Sequence, residues 1–161
     1  MSRFPAGKYG RQTLRFHPAP FRAPLRAFAV LVFAWSDGEV LLCDIAGRGW
    51  CVPSGRVEPE ESSCDAVRRE SLEEAGAILE EAQYFGCYEI RDRTEIRWAD
   101  CYAGHVVELG EILTKEESRE RRLVSPEELP GLYHVWNELT QLVFERSREV
   151  AERARQLHDD S

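Results

Sequence analysis

Among the first 36 residues there is no acid, although the whole chain carries a formal charge of −8. Arg3, Lys8, Arg11, Arg15, Arg22 and Arg26 stand there alone, which leaves the remainder near −14. A body that acidic repels phosphodiester backbones, so no nucleic-acid partner is expected. The basic leader also holds Pro5, Pro18, Pro20 and Pro24. Residues 1–24 therefore read as an arm, either laid over an anionic ligand or the protein's own acidic face, or loosely ordered.

No CxxC pair occurs, and the five cysteines (Cys43, Cys51, Cys64, Cys87, Cys101) are an odd number. That argues against a disulfide framework and a thiolate zinc site, and the bland reading of each is a small buried apolar residue. No apolar run is long enough for a membrane helix, so no membrane partner is expected. The opening MSRFPAGKYGRQTLRF lacks the apolar segment and cleavage site of a secretory signal, and the expected compartment is the cytoplasm. His17, His105, His134 and His158 show no ligand-like spacing and receive no role. Internal repeats and low-complexity tracts are missing too.

What is present is an ordinary globular balance, 43% hydrophobic and 31% charged over 161 residues. One domain is expected over 25–158. RAFAVLVFAW at 26–35 is β-branched, aromatic and too continuous for a half-exposed strand, so it reads as a buried one. Asp37-Gly38 signals a hairpin into a second strand, and WCVPSG a short strand ended by Pro53 and Gly55. Ser62 or Ser63 caps a helix over about 63–75, with Gly76 as its C-cap. Residues 83–108 read as two strands joined near Asp92-Arg93-Thr94, RRLVS as a short strand and SPEEL as a helical turn.

A final helix over about 137–157 carries Trp136, Leu139, Val143, Val150, Ala154 and Leu157 as a stripe. Its own domain is the default partner, and the seam of a homodimer is the alternative. Strands and helices are mixed, which points to α/β or α+β layers around one sheet.

The most informative stretch is GRVEPEESSCDAVRRESLEEAGA at 55–77. At about 100° per residue, Arg69, Glu70, Glu73 and Glu74 share one helix face, and Cys64, Leu72 and Ala75 fall opposite, where they can bury. Arg69 and Glu73 are a favourable pair, whereas Glu70 and Glu74 repel by a few tenths of a kcal/mol, roughly. Carboxylates that repel in an empty helix become an asset around a divalent cation, since hard Mg²⁺ takes oxygen ligands. A solvated helix face is the bland alternative.

The spacing runs Gly55, five residues, Glu61, seven residues, Arg69-Glu70, two residues, Glu73-Glu74, one residue, Gly76. This resembles the signature of the Nudix hydrolase family, a glycine, five residues, Glu, seven residues, then REUxEExGU with U bulky and apolar. All seven fixed positions match; Ser71 and Ala77 depart from the pattern at the U positions. WCVPSGRVE is similar to the family's W-x-x-P-G-G approach, with Ser54 in place of a glycine, and ERRLVSPEELP to its closing segment.

The resemblance implies an α/β fold, a Nudix-like α/β/α sandwich with a mixed sheet and a loop-helix-loop catalytic segment. It implies hydrolysis of a nucleoside diphosphate linked to another group, with Glu70, Glu73, Glu74 and the backbone carbonyl of Ser54 binding one to three Mg²⁺ or Mn²⁺ ions. Arg69 would orient the glutamates, and Glu61 would support the loop. The general base would be Glu70 or an acid of the distant loop TKEESRERR, with Glu120 ahead of Glu117 and Glu116; the bland reading is an exposed acidic loop.

Arg56 either touches a phosphate or is a surface charge. Trp98 and Tyr102 share a strand face, to stack on a base or to fill core. Other functions stay open: a Nudix-like nucleotide-binding or regulatory domain without hydrolysis, or an acidic interaction protein. The hydrolase reading predicts that Glu73→Gln abolishes turnover while circular dichroism shows an intact fold; full activity in that variant would refute it.

Overall fold

The computed structural model describes residues 4–159. In chain order the elements are β1 (Gly7–Tyr9), β2 (Gln12–Pro18), β3 (Ala29–Ser36), β4 (Glu39–Ile45), β5 (Gly49–Cys51), β6 (Ser54–Arg56) and α1 (Ser63–Ala75). They continue with β7 (Ala77–Leu79), β8 (Gln83–Arg91), β9 (Ile96–Leu109), β10 (Ser118–Val124), a 3₁₀ turn (Pro126–Glu128), α2 (Leu129–Leu132) and α3 (Glu138–Asp159). The sheet runs β1-β2-β8-β9-β3-β4-β10, with β5 on β4, β6 on β3 and β7 on β9. Only β3 and β9 are parallel among these pairs, so the sheet is mixed. Helices cover both faces, giving the expected α/β class.

The continuous apolar run is the central strand because both of its faces are covered. Phe33 and Trp35 enter the core beneath α3, while Val30, Val32 and Ala34 enter a second core beneath α1. Trp35 finds a partner for its indole N–H in the Ser147 hydroxyl at 2.9 Å, which ties α3 to β3 through the core. Leu139, Val143, Phe144 and Ala151 are buried, so the stripe of α3 packs on its own sheet; Leu157 is exposed. Among the described residues no helix is long and apolar enough to cross a membrane.

The basic leader departs from expectation. Residues 7–18 form β1 and β2, and β2 is hydrogen-bonded to β8 from Thr13↔Arg91 to Pro18↔Gly86. Leu14 and Phe16 point into the core and Arg15 points out, an alternation hidden in the sequence by prolines and unmatched positive charge. Met1, Ser2 and Arg3 lie outside the described residues. Phe16 meets the rings of Phe4, Phe85 and Tyr88. Truncating it in Phe16→Ala is therefore expected to cost about 3–5 kcal/mol, read as a lower midpoint in denaturant; a detached arm would leave the midpoint unchanged.

Candidate active site

Helix α1 begins where Ser62 caps the Asp65 N–H at 3.1 Å and ends at Gly76, whose φ of 62° is left-handed. A Cβ at Gly76 would stand 2.5 Å from the carbonyl oxygens of Gly110 and Glu111, so the glycine also lets the next segment close over the helix end. That segment supplies partners for the last helical carbonyls, which no residue within the helix can reach. The Glu73 carbonyl accepts from the Leu113 and Thr114 N–H groups and the Thr114 hydroxyl, and the Glu74 carbonyl from the Ser118 hydroxyl at 2.6 Å. The Ala75 carbonyl accepts from Arg121, which also reaches the Gly110 carbonyl.

Of the three α1 residues placed on the buried side, only Ala75 is buried. Cys64 is exposed and Leu72 is 42% exposed, while Glu70 and Glu74 are 8% and 7% exposed beside Ala66, Val67, Ser71 and Ala75. Helical periodicity alone assigns charges to solvent, and here contact with β6 overrides it. The Ser54 N–H gives Glu74 a hydrogen bond at 2.9 Å, and Gly55 has no side chain to keep Glu70 away. A Cβ at Gly55 would overlap both carboxylate oxygens of Glu70. Ser71 and Ala77 are buried, with the Ser71 hydroxyl satisfied by the Val67 carbonyl at 2.7 Å. The small residues thus occupy the anchoring positions without leaving a polar group unpaired.

Arg69 organises the acids. It grips Glu61 through two parallel bonds of 2.8 and 2.9 Å, and reaches Glu70 at 2.8 Å, Glu73 at 3.2 Å and the Arg56 carbonyl at 2.9 Å. This fork is what guanidinium geometry permits and a lysine could not reproduce. Arg69 bonding, with help from the Glu58 N–H, holds the Glu61 carboxyl below its ordinary range. Burial pushes Glu70 up despite Arg69, and burial, reinforced by the Glu70 charge, pushes Glu74 up to about 7.

Two buried, mutually repelling carboxylates in a cradle that a Cβ would fill are a donor set suited to a hard cation. Among the described residues no three acid, histidine or cysteine side chains are drawn together as a closed metal site. Arg69 serves as the counter-charge in this arrangement.

Ser54, Gly55, Arg56, Glu70 and Glu74 line a cleft of about 820 Å³. Arg48 and Arg97 stand on its walls with Phe28, Tyr88, Tyr9 and His134. Trp98 and Tyr102 are not among its lining residues. Strand parity sends them to the α1 side of the sheet, where Tyr102 meets Tyr84 and Trp98 lies beside Phe21 and His17, while Arg97 and Ala99 take the cleft side. Glu120 is also outside: it lies in β10 opposite Asp44, beyond a bulge at Arg119, and Glu116 and Glu117 face the cleft instead. Sequence reasoning missed Arg48, Arg97 and His134.

A mixed sheet thus lies between helices, with an arginine-braced acidic helix under the cleft. The model of the NUDIX domain matches residues 24–153, and the chain belongs to that family. It is 30% identical over 97 residues to a Bacillus subtilis (strain 168) protein named "Putative 8-oxo-dGTP diphosphatase YtkD"; the match spans 60% of this chain and 60% of that relative. The fold is shared with the pyrophosphohydrolase BsRppH of Bacillus subtilis, at TM-score 0.64 and 24% identity over 83% of this chain and 79% of that one. It is shared too with a MutT NUDIX hydrolase from Burkholderia pseudomallei, at 0.62 and 21% over 76% and 98%.

The Gly55 contact makes a sharp prediction. Gly55→Ala displaces the Glu70 carboxylate and is expected to lower kcat about a hundredfold, as ångström-scale misplacement of a reacting group does. Steady-state kinetics on the folded variant test this, and unchanged kcat would show that Glu70 need not sit against β6.

Proposed function

We propose that the chain is a divalent-cation-dependent pyrophosphohydrolase that cleaves a nucleoside diphosphate linked to another moiety, such as a nucleotide, a sugar or a second nucleoside. The observation that carries this reading is the pair of buried carboxylates, Glu70 and Glu74, at the floor of a cleft whose walls carry Arg48, Arg56 and Arg97. Acids alone would repel a polyphosphate, and arginines alone would only bind it. Together they suit a polyanion brought to a site that also takes cations. The aromatic walls at Phe28 and Tyr88 suit a base or sugar. The names of two relatives, a diphosphatase and a pyrophosphohydrolase, support the same reaction class.

Glu70, Glu73 and Glu74, with the Ser54 carbonyl, would hold one to three ions, Mg²⁺ with Mn²⁺ as substitute. Bound there, the metal supplies positive charge against phosphate oxygens and acidifies water. The remaining chemistry belongs to the chain. Arg48 and Arg56 hold phosphate oxygens, and Arg69 keeps Glu70 and Glu73 oriented.

Water attacks one phosphorus, the bridging P–O bond breaks, and the water proton passes to a carboxylate. Glu70 is the first choice for that base, because its carboxylate lies against β6 at the floor of the cleft. Glu117 and Glu116 are the candidates from the loop, replacing Glu120. All five cysteines are free, which supports the reducing cytoplasm as the compartment.

Phosphate release from nucleoside triphosphates, nucleotide sugars, dinucleotides and diphosphoinositol compounds, with Mg²⁺ or Mn²⁺, identifies the substrate. Mg²⁺ at a hundred times its Kd is expected to stabilise the fold by about 2.7 kcal/mol, reversed by chelator. No turnover and no Mg²⁺-dependent thermal shift would together sink the hydrolase reading.

A further inference from the structure

The imidazole of His134 is the residue in the cleft that the proposed chemistry leaves unused. Its Nδ1 is buried and has no hydrogen-bond partner, alone in this respect among the described residues. Its ring is held edge-on by Tyr9 at 5.4 Å and Tyr133 at 4.8 Å, contacts that fix its orientation but satisfy neither nitrogen. The backbone is fixed as well: the His134 N–H donates to the Trp50 carbonyl at 2.8 Å, joining this loop to β5. Arg48, which precedes β5, donates to the Ser54 hydroxyl at 3.3 Å, and so the two residues line the cleft that holds Glu70 and Glu74.

The tautomer follows from cost. A buried N–H without an acceptor is rarer and more expensive than a buried acceptor without a donor. The proton therefore belongs on Nε2, since Nδ1 has no acceptor to give it to. Burial, with the Arg48 charge behind it, pushes the imidazole down to about 4, so the ring is neutral near pH 7. A neutral, immobilised N–H donor beside a guanidinium matches a ligand that presents phosphate to the arginine and an uncharged acceptor next to it.

We propose, resting on the hydrolase reading of the cleft, that His134 is a specificity-determining residue that donates from Nε2 to an uncharged acceptor on the nucleoside part of the substrate, while Arg48 holds the adjoining phosphate. The acceptor is a carbonyl or ring nitrogen of the base, or an oxygen of the ribose. Selectivity is thus set in part by a residue that plays no part in breaking the P–O bond.

The test is steady-state kinetics of the wild type, His134→Phe and His134→Gln on the best substrate from the screen, as matched ribo and 2′-deoxy forms. Phenylalanine keeps the ring contacts to Tyr9 and Tyr133 and removes the donor; glutamine restores an N–H near Nε2. His134→Phe is expected to lose about tenfold in kcat/KM, as for one neutral hydrogen bond, with the loss in KM, kcat held and the unfolding temperature retained. His134→Gln is expected to recover a substantial part.

A loss confined to the ribo form identifies the ribose 2′-hydroxyl as the acceptor, and an equal loss on both forms identifies the base or another ribose oxygen. Wild-type turnover with an unchanged kcat/KM in His134→Phe overturns this assignment and leaves the hydrolase reading standing. A loss of kcat and stability in both variants overturns it as well, since that is the signature of a structural residue. No wild-type turnover of any nucleotide overturns both.

Discussion

The constraint on which the site depends is the single guanidinium of Arg69 among carboxylates that would otherwise drive one another apart. Its fork closes on Glu61, its free N–H groups reach Glu70, Glu73 and the Arg56 carbonyl, and so the loop before α1 and the acidic face of α1 share one cation. Burying two glutamates on one face of a helix costs desolvation and repulsion. The structure offsets this with the Ser54 N–H, with Arg69, and by omitting a side chain at Gly55 so that Glu70 lies against backbone. The site stores negative charge, and three arginines on the cleft walls answer it.

Much of the architecture was legible in the sequence because local rules and global fold agree there. The run 26–35 could only be a strand covered on both faces, and the cap residues Ser62 and Gly76 bracket α1 where the structure ends it. Strands β1 and β2 were not legible. Among the described residues β1 pairs only with β2, whose other partner β8 lies far along the chain, and prolines and arginines conceal an alternation that matters only once β8 is present. The buried glutamates eluded periodicity for a similar reason, since a wheel projection assigns faces by polarity and cannot know that β6 offers a backbone donor and a glycine.

The aromatic pair shows a different limit. That Trp98 and Tyr102 share a face follows from strand parity, but which face borders the cleft depends on how β9 lies between β8 and β3, with helices assigned to each side. Arg97 held the cleft position, one residue away. Glu120 lies outside the cleft beyond a bulge, which shifts the alternation of β10 by one after Ser118. Arg48 and His134 had no sequence signature because they meet only through β5 and its bridge to the loop before α3.

The far end of α1 carries a consequence of its own. Glu73, Glu74 and Ala75 are fastened to the 110–121 segment by main-chain carbonyls, which every residue possesses whatever its side chain. The fastening is therefore blind to the side chains of Glu73 and Glu74, and on the segment it rests on Thr114, Ser118 and Arg121 and not on the acids. Acids on the helix and on the loop can be exchanged, lost or moved by mutation while the two pieces stay in register, so the scaffold can vary its chemistry without being rebuilt.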